Sequence, residues 1–316
     1  MTQYRLTSRE TDLIETQARR PAVSPLDMSW LPTKKIDDAY TIKDYTMKRV
    51  EPPVGSKLGE FSHGVSSAKT ETERELISFR YTYGVNKTDL RIAKRNGYDI
   101  IGQNVAMMRS AMEHSILKLF IQGTTGTDLP DVYGMFDVGE DVDAALDDNY
   151  WNTATEPVAH ALAGFNDLVA NNYFGPYSWI LSRSFEAGLY ALNNAANPRT
   201  HEEIIRASYV KGGIYFYQNG ASAYGSGGYT IYPLPAATND DGVWLMFAPT
   251  NGAGEENFYM AQVTNGIETT VPNDLDENNI YTIGMEWRGA PVFRGATTST
   301  ASAPYIVFEP DGDTAS

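Results

Sequence analysis

Residues 99–123 read DIIGQNVAMMRSAMEHSILKLFIQG. Apolar side chains recur at Ile101, Val105, Met108, Met112, Ile116 and Leu119, the three-and-four spacing that lines one face of a helix. The pattern runs unbroken from Asp99 to Gln122, and Gly123 stops it. About 24 residues at 1.5 Å per residue give a rod of about 36 Å. Asn96-Gly97 breaks the chain just before it. The methionine stripe is read as core, because Met fills irregular apolar gaps. His114 lies between the apolar positions and reads as a packed core or interface residue.

On the N-terminal side, residues 46–86 read as a long hairpin. A strand-like stretch from Tyr45 to Val50 meets Pro52-Pro53 and a tip carrying Gly55, Gly59, Gly64, Ser66 and Ser67. The chain returns through Leu76, Ile77, Phe79, Tyr81 and Tyr83, aromatic and β-branched residues suited to a strand. About twenty weakly structured residues make sense where they reach out to something. Residues 52–74 bury little apolar surface of their own, so their order is expected to come from a partner. Residues 1–45 read as an arm. A short helix from Ser8 to Ala18 is followed by Pro21, Pro25 and Pro32, which forbid regular structure. Trp30 and Leu31 read either as anchors for a foreign surface or as a segment folded back on its own domain.

On the C-terminal side, Gly123 to Tyr150 is a loop region with acids at Asp137, Glu140, Asp141, Asp143, Asp147 and Asp148. A calcium loop counted from Asp137 puts Val142 at the turn glycine and Asp148 at the bidentate glutamate, so the match fails and a solvated acidic loop remains. Pro157 to Ala170 reads as an amphipathic helix capped by Thr155, with Val158, Leu162, Phe165 and Val169 inward. Tyr177–Leu181 reads as a buried strand. Helices at Ser184–Asn193 and His201–Ala207 are separated by Asn197-Pro198. Strands are expected at Ile214–Tyr217, Tyr229–Leu234, Val243–Ala248, Phe258–Val263, Tyr281–Trp287 and Tyr305–Phe308. The class is α+β, without a βαβ series or an internal repeat.

Composition narrows the function classes. The 316 residues include no cysteine, which removes disulfides, thiolate nucleophiles and cysteine zinc sites. No run of eighteen apolar residues occurs, so no membrane span is expected. The polar first twenty residues read as neither signal nor transit peptide. Net charge is −15. Residues 1–100 carry 17 Lys+Arg and 14 Asp+Glu, a surplus of three bases; the remainder carries 8 and 26, a deficit of eighteen. A protein wrapped on nucleic acid shows a basic face instead, so direct or sequence-specific nucleic-acid binding is not expected. Only 10 of the 25 bases are lysine, which fits a high-salt habitat as well as an ordinary acidic protein.

The chemistry search returns nothing. His63, His114, His160 and His201 have no metal-site spacing, and no GxSxG, Walker A or GxGxxG pattern exists. Gly225-Ser226-Gly227-Gly228 reads as a turn. No catalytic, cofactor-binding or metal-binding residue is expected, and no cofactor.

The order of elements is the specific feature: a proline-rich arm, a glycine-tipped hairpin, one long helix and a Gly-rich turn. It resembles the tailed-virus major capsid proteins of the Hong Kong 97-type fold and the related encapsulins. Phe79-Arg80-Tyr81-Thr82-Tyr83 leading through Lys87-Thr88-Asp89 and Ala93-Lys94-Arg95 resembles the strand after that family's E-loop and its approach to the spine helix. Leu119-Phe120-Ile121-Gln122-Gly123, then Val132-Tyr133-Gly134-Met135, is similar to the family's helix end. Tyr177 to Ser182, then Phe185 to Leu192, resembles the A-domain strand and helix. Tyr281-Thr282-Ile283-Gly284 through Pro304 to Phe308 resembles the strands returning to the P-domain.

The resemblance implies an N-terminal arm (1–45), an E-loop hairpin (46–86), a P-domain with its spine helix (87–150), an A-domain (151–275) and a return to the P-domain (276–316). It implies a structural, non-enzymatic subunit that self-assembles as hexamers and pentamers into an icosahedral shell around a viral genome. Scaffold, portal or decoration proteins are its further partners, a membrane is not, and the virion, assembled in host cytoplasm, is its place. The alternative is an encapsulin-like nanocompartment around protein cargo. Expected subunit contacts are Trp30 in the arm and Lys48, Arg49, Lys57 and Lys69 in the hairpin, whose basic face would meet an acidic neighbour. Lys57 and Lys69 read as solvated lysines rather than crosslinking ones.

Overall fold

Gly97 and Gly123, both left-handed with φ of 68° and 71°, bracket the long helix. The computed structural model describes residues 26–36, 41–47, 69–97, 100–124, 132–141, 156–194, 197–220, 233–236, 243–250, 254–263, 266–270, 280–294 and 304–308. In its first half β1 (Thr33–Lys35), β2 (Thr41–Met47), β3 (Lys69–Glu75) and β4 (Ile77–Asn86) precede α1 (Lys87–Asn96), the long helix α2 (Ile100–Gln122), α3 (Met135–Val138) and β5 (Glu140–Asp141). Then come α4 (Glu156–Ala170), β6 (Ser178–Ser182), α5 (Glu186–Leu189), β7 (Leu192–Asn194), β8 (Asn197–Thr200), α6 (His201–Ser208) and β9 (Gly213–Tyr217). The rest is strand: β10 (Asn219–Gly220), β11 (Leu234–Ala236), β12 (Trp244–Phe247), β13 (Phe258–Gln262), β14 (Glu268–Thr270), β15 (Ile280–Phe293) and β16 (Tyr305–Phe308).

The end of α2 is closed backbone to backbone. The Gly123 N–H donates to the Leu119 carbonyl (3.0 Å), and a left-handed residue there suits glycine. A Cβ on Gly123 would lie 2.2 Å from the Val132 carbonyl oxygen, and one on Gly134 would lie 2.2 Å from the Gly123 nitrogen. The Gly…Gly signature read from the sequence is thus a steric requirement for two chain segments to touch. The Gly134 N–H donates to Asp137 Oδ2 (2.7 Å), which starts α3. Burial raises the Asp137 pKa, and that hydrogen bond opposes the shift.

Two five-stranded sheets carry the body. In one, β15 pairs with β4 on one side and with β13 and β14 on the other, and β1 extends it parallel to β13. The other runs β5-β16-β12-β6-β9. Its strands SWILS, WLMF and YIVF are buried throughout because both faces are covered. Ile180, Leu245, Phe247, Tyr305 and Val307 enter a core shared with α2 and the first sheet. Trp179, Leu181, Trp244, Met246, Ile306 and Phe308 enter a second core that includes residues of α4 and α6. Alternation along three strands therefore links one core to the other.

Several sequence expectations change. The hairpin arms are β2 and β3, paired from Thr41↔Glu75 to Met47↔Lys69. The aromatic stretch expected to return along it is instead β4, paired with β15. Its Tyr81 hydroxyl bonds Ser115 Oγ (3.0 Å), and its Tyr83 hydroxyl accepts from Asn104 Nδ2 (2.9 Å), so the aromatic row binds α2. The expected inward face of α4 holds in part: Val158 and Phe165 pack against the second core, but Leu162 and Val169 are exposed and Pro157, His160, Ala161, Gly164 and Leu168 are buried. The large Trp244 ring is the cause. It lies 3.2 Å from where a Gly164 Cβ would be, and its Nε1 donates to His160 Nδ1 (2.9 Å). The helix expected over 184–193 shortens to a 3-10 turn and α5, and Asn197-Pro198 lies in β8 rather than in a loop. α1 was not anticipated; Asn86 Oδ1 accepts the Thr88 N–H (2.9 Å) and starts it. The expected arm helix, hairpin tip and most of the acidic loop lie outside the described residues.

The methionines of α2 separate cleanly. Met112 is fully buried, Met108 is half-buried and Met107 is 70% exposed. Met112→Asp is expected to abolish folding, because an unpaired buried charge costs several kcal/mol. Met107→Asp should leave the denaturant midpoint within about 0.5 kcal/mol of the parent. Urea titration of both variants, followed by circular dichroism, checks the pair.

Candidate assembly surface

Of the two readings open for Trp30, an anchor for a foreign surface or a segment folded back on its own domain, the structure shows the second: its side chain is buried in its own chain. Its indole Nε1 donates to the Tyr217 hydroxyl (2.6 Å), and that hydroxyl donates to the Asp27 carbonyl. Around it stand Phe120, Tyr215, Phe247 and Phe258, with ring centroids 5.2 to 6.2 Å away. The physical reason is pairing: a buried indole N–H needs an acceptor, and β9 supplies one. Burial pushes the Tyr217 phenol well above its usual range, against the Trp30 hydrogen bond, with Asp27 and Tyr215 adding to the rise. Residues 26–36 continue as a strap. Met260 N donates to Pro32 O (2.8 Å), β1 pairs with β13, and Lys34 meets Glu256 at 2.5 Å.

Lys48, Arg49 and Lys57 lie outside the described residues. Lys69 opens β3, its backbone paired with Met47 at the far end of the ribbon. Of the five expected contacts, Trp30 and Lys69 alone fall within the described residues. What the structure does set apart is the ribbon itself: β2 and β3 form a two-stranded sheet outside both five-stranded ones. A lone two-stranded ribbon is marginal in water and gains stability from a third surface.

Other outward features are few. β4 turns Ser78, Arg80 and Thr82 to solvent, and α1 exposes Arg91, Ile92 and Arg95. Among the described residues, Met107, Tyr133, Phe174, Tyr190 and Leu192 are further well-exposed apolar side chains. Among the described residues, no group of three His, Asp or Glu side chains is placed to hold a metal ion. Within those residues, no helix is long and apolar enough to cross a membrane. Of the histidines, His114 Nδ1 lies 2.7 Å from Ser110 O on its own helix, His160 meets Trp244, and His201 is buried at the start of α6.

No protein-family model and no curated protein sequence matches the chain. Solved structures do, end to end. The capsid of Myoviridae phage XM1 superposes with a TM-score of 0.60 at 10% identity, over 96% of this chain and 98% of that one. A structure from Mycobacterium phage Adephagia gives 0.59 at 9% identity, over 97% and 98%. The virus-like particle from Pyrococcus furiosus gives 0.56 at 12% identity, over 95% and 97%. The chain has the Hong Kong 97-type capsid fold.

Two measurements probe how this Hong Kong 97-type body is held. Trp30→Ala should cost about 3–5 kcal/mol, and Tyr217→Phe about 1–3 kcal/mol, since the latter leaves the buried indole N–H unpaired. Denaturant titration of the two variants reads both losses.

His201 sets an acid dependence. Its imidazole is buried, its Nδ1 has no hydrogen-bond partner, and burial lowers its pKa below 6.5. The folded chain holds the ring neutral while the unfolded chain protonates it, so this contribution is complete above about pH 6.5 and is lost as pH falls. Midpoints measured from about pH 7.5 to about pH 5.5 should fall less steeply in His201→Gln than in the parent.

Proposed function

We propose that the chain is a major capsid protein of a tailed virus, a non-enzymatic subunit that assembles with copies of itself into an icosahedral shell around the genome. The observation that carries this reading is end-to-end likeness to shell-forming chains, covering 96–98% of both partners for the phage XM1 capsid. The ribbon supports it, because a two-stranded sheet outside the body is what a subunit extends over a neighbour. In this reading residues 1–45 are the arm, 46–86 the E-loop, 87–150 and 276–316 the P-domain, and 151–275 the A-domain. Hexamers and pentamers are the assembly units, with scaffold, portal or decoration proteins as accessory partners. Lys48, Arg49, Lys57 and Lys69 are the proposed hairpin contacts, and the virion, assembled in host cytoplasm, is the proposed location.

A second reading, an encapsulin-like compartment around protein cargo, is favoured by the likeness to the Pyrococcus furiosus particle. Both readings require closed shells, and their contents separate them. Electron microscopy of the purified protein is expected to show closed shells. Shells carrying nuclease-protected nucleic acid support the virus and shells filled with one protein support the compartment, whereas discrete monomers alone overturn both.

A further inference from the structure

The α1 helix sets like charges in a row. Lys87, Arg91 and Arg95 stand at successive i, i+4 positions along its ten residues. Like charges at that spacing repel and weaken a helix, and Lys87 stands in the first turn, where the helix dipole disfavours a cation. The helix's one acid, Asp89, is two or six residues from each of the three bases, so it forms no i, i+3 or i, i+4 pair with them. Leu90 packs against the first core, while Arg91, Ile92 and Arg95 face solvent, with Ile92 52% exposed. An aliphatic side chain between two arginines is interface composition rather than ordinary surface. The setting sharpens the contrast: four of the chain's 25 bases lie in α1, but only one of its 40 acids.

We infer that the Arg91–Ile92–Arg95 face of α1 is a contact site for a second copy of this chain, taken through that copy's acidic half. The inference rests on the shell reading above and adds a residue-level contact to it. Charge complementarity selects the occupant: residues 101–316 carry eighteen more acids than bases, and every neighbour in a shell presents that surface. Nucleic acid is the lesser match, because phosphates approaching so short a basic stripe meet the same acidic body.

The test compares the parent with Arg91→Glu/Arg95→Glu and with Arg91→Gln/Arg95→Gln. Reversal at Arg91 relieves its repulsion with Lys87, but the double reversal sets two acids four residues apart and one of them in the last turn, so the neutralised variant, free of both, is the control for local helix effects. Assembly is followed by light scattering and electron microscopy across a salt series, and the dissociated subunit is melted separately. The reversed variant is expected to need at least about tenfold more protein to assemble at low salt. Its subunit melting temperature should stay unchanged, and the gap should narrow near 1 M salt, where screening acts over about 3 Å. The neutralised variant should fall between the two, and it decides the matter if the reversed one does not fold. Normal shells from the variants at low salt overturn the α1 contact alone and leave the shell reading standing. A parent that never self-associates overturns the shell reading and the contact with it. Retention of duplex DNA by the parent subunit, lost in the variants, would assign the face to nucleic acid and overturn the inference.

Discussion

The indole of Trp30 touches a ring from α2, two from the strands of the second sheet and one from the first sheet. It is also tied by a buried hydrogen bond to Tyr217, 187 residues further along the chain. Much of the body depends on that junction. Without it the strap has no reason to lie across the sheets, β1 loses its guide onto β13, and the space between α2 and the two sheets is left open. A side chain that reads locally as an arm residue is the part that joins α2 to both layers.

From this centre the molecule divides into a well-supported body and a separate two-stranded ribbon. The second sheet is covered on both faces, so its three central strands are fixed by packing from either side. β2 and β3 have no such cover within the sheets of their own chain. The proposed shell role uses that contrast: the body folds before assembly, and the ribbon keeps its stabilising contacts for a neighbour. The charge balance fits the same division, with a small basic surplus before residue 101 and a large acidic excess after it.

What the sequence made legible follows from how local each cause is. α2 was readable because its periodicity is written into consecutive residues, and β16 matched because YIVF is apolar with no breaker inside it. On α4 the sequence places Val158 and Phe165 correctly against the second core, but it misses the buried His160 and Gly164, whose partner Trp244 is 84 residues from His160, and puts the exposed Leu162 and Val169 inward. The fate of Trp30 stayed open because its acceptor, Tyr217, is remote in sequence. The ribbon's second strand, KTETERE, carries no apolar signal at all and is recognisable through its pairing with β2. The expected contacts at Lys48, Arg49 and Lys57 rested on charge, which marks a partner's sign but not its position.

Amide hydrogen exchange, compared between dissociated subunit and assembled particle, tests the central claim most directly. The account predicts strong protection of β6, β12 and β16 in both states. It predicts weak protection of residues 41–47 and 69–75 in the subunit, rising by orders of magnitude in the particle as the ribbon gains its third surface. Equal protection of the ribbon in the two states would contradict it.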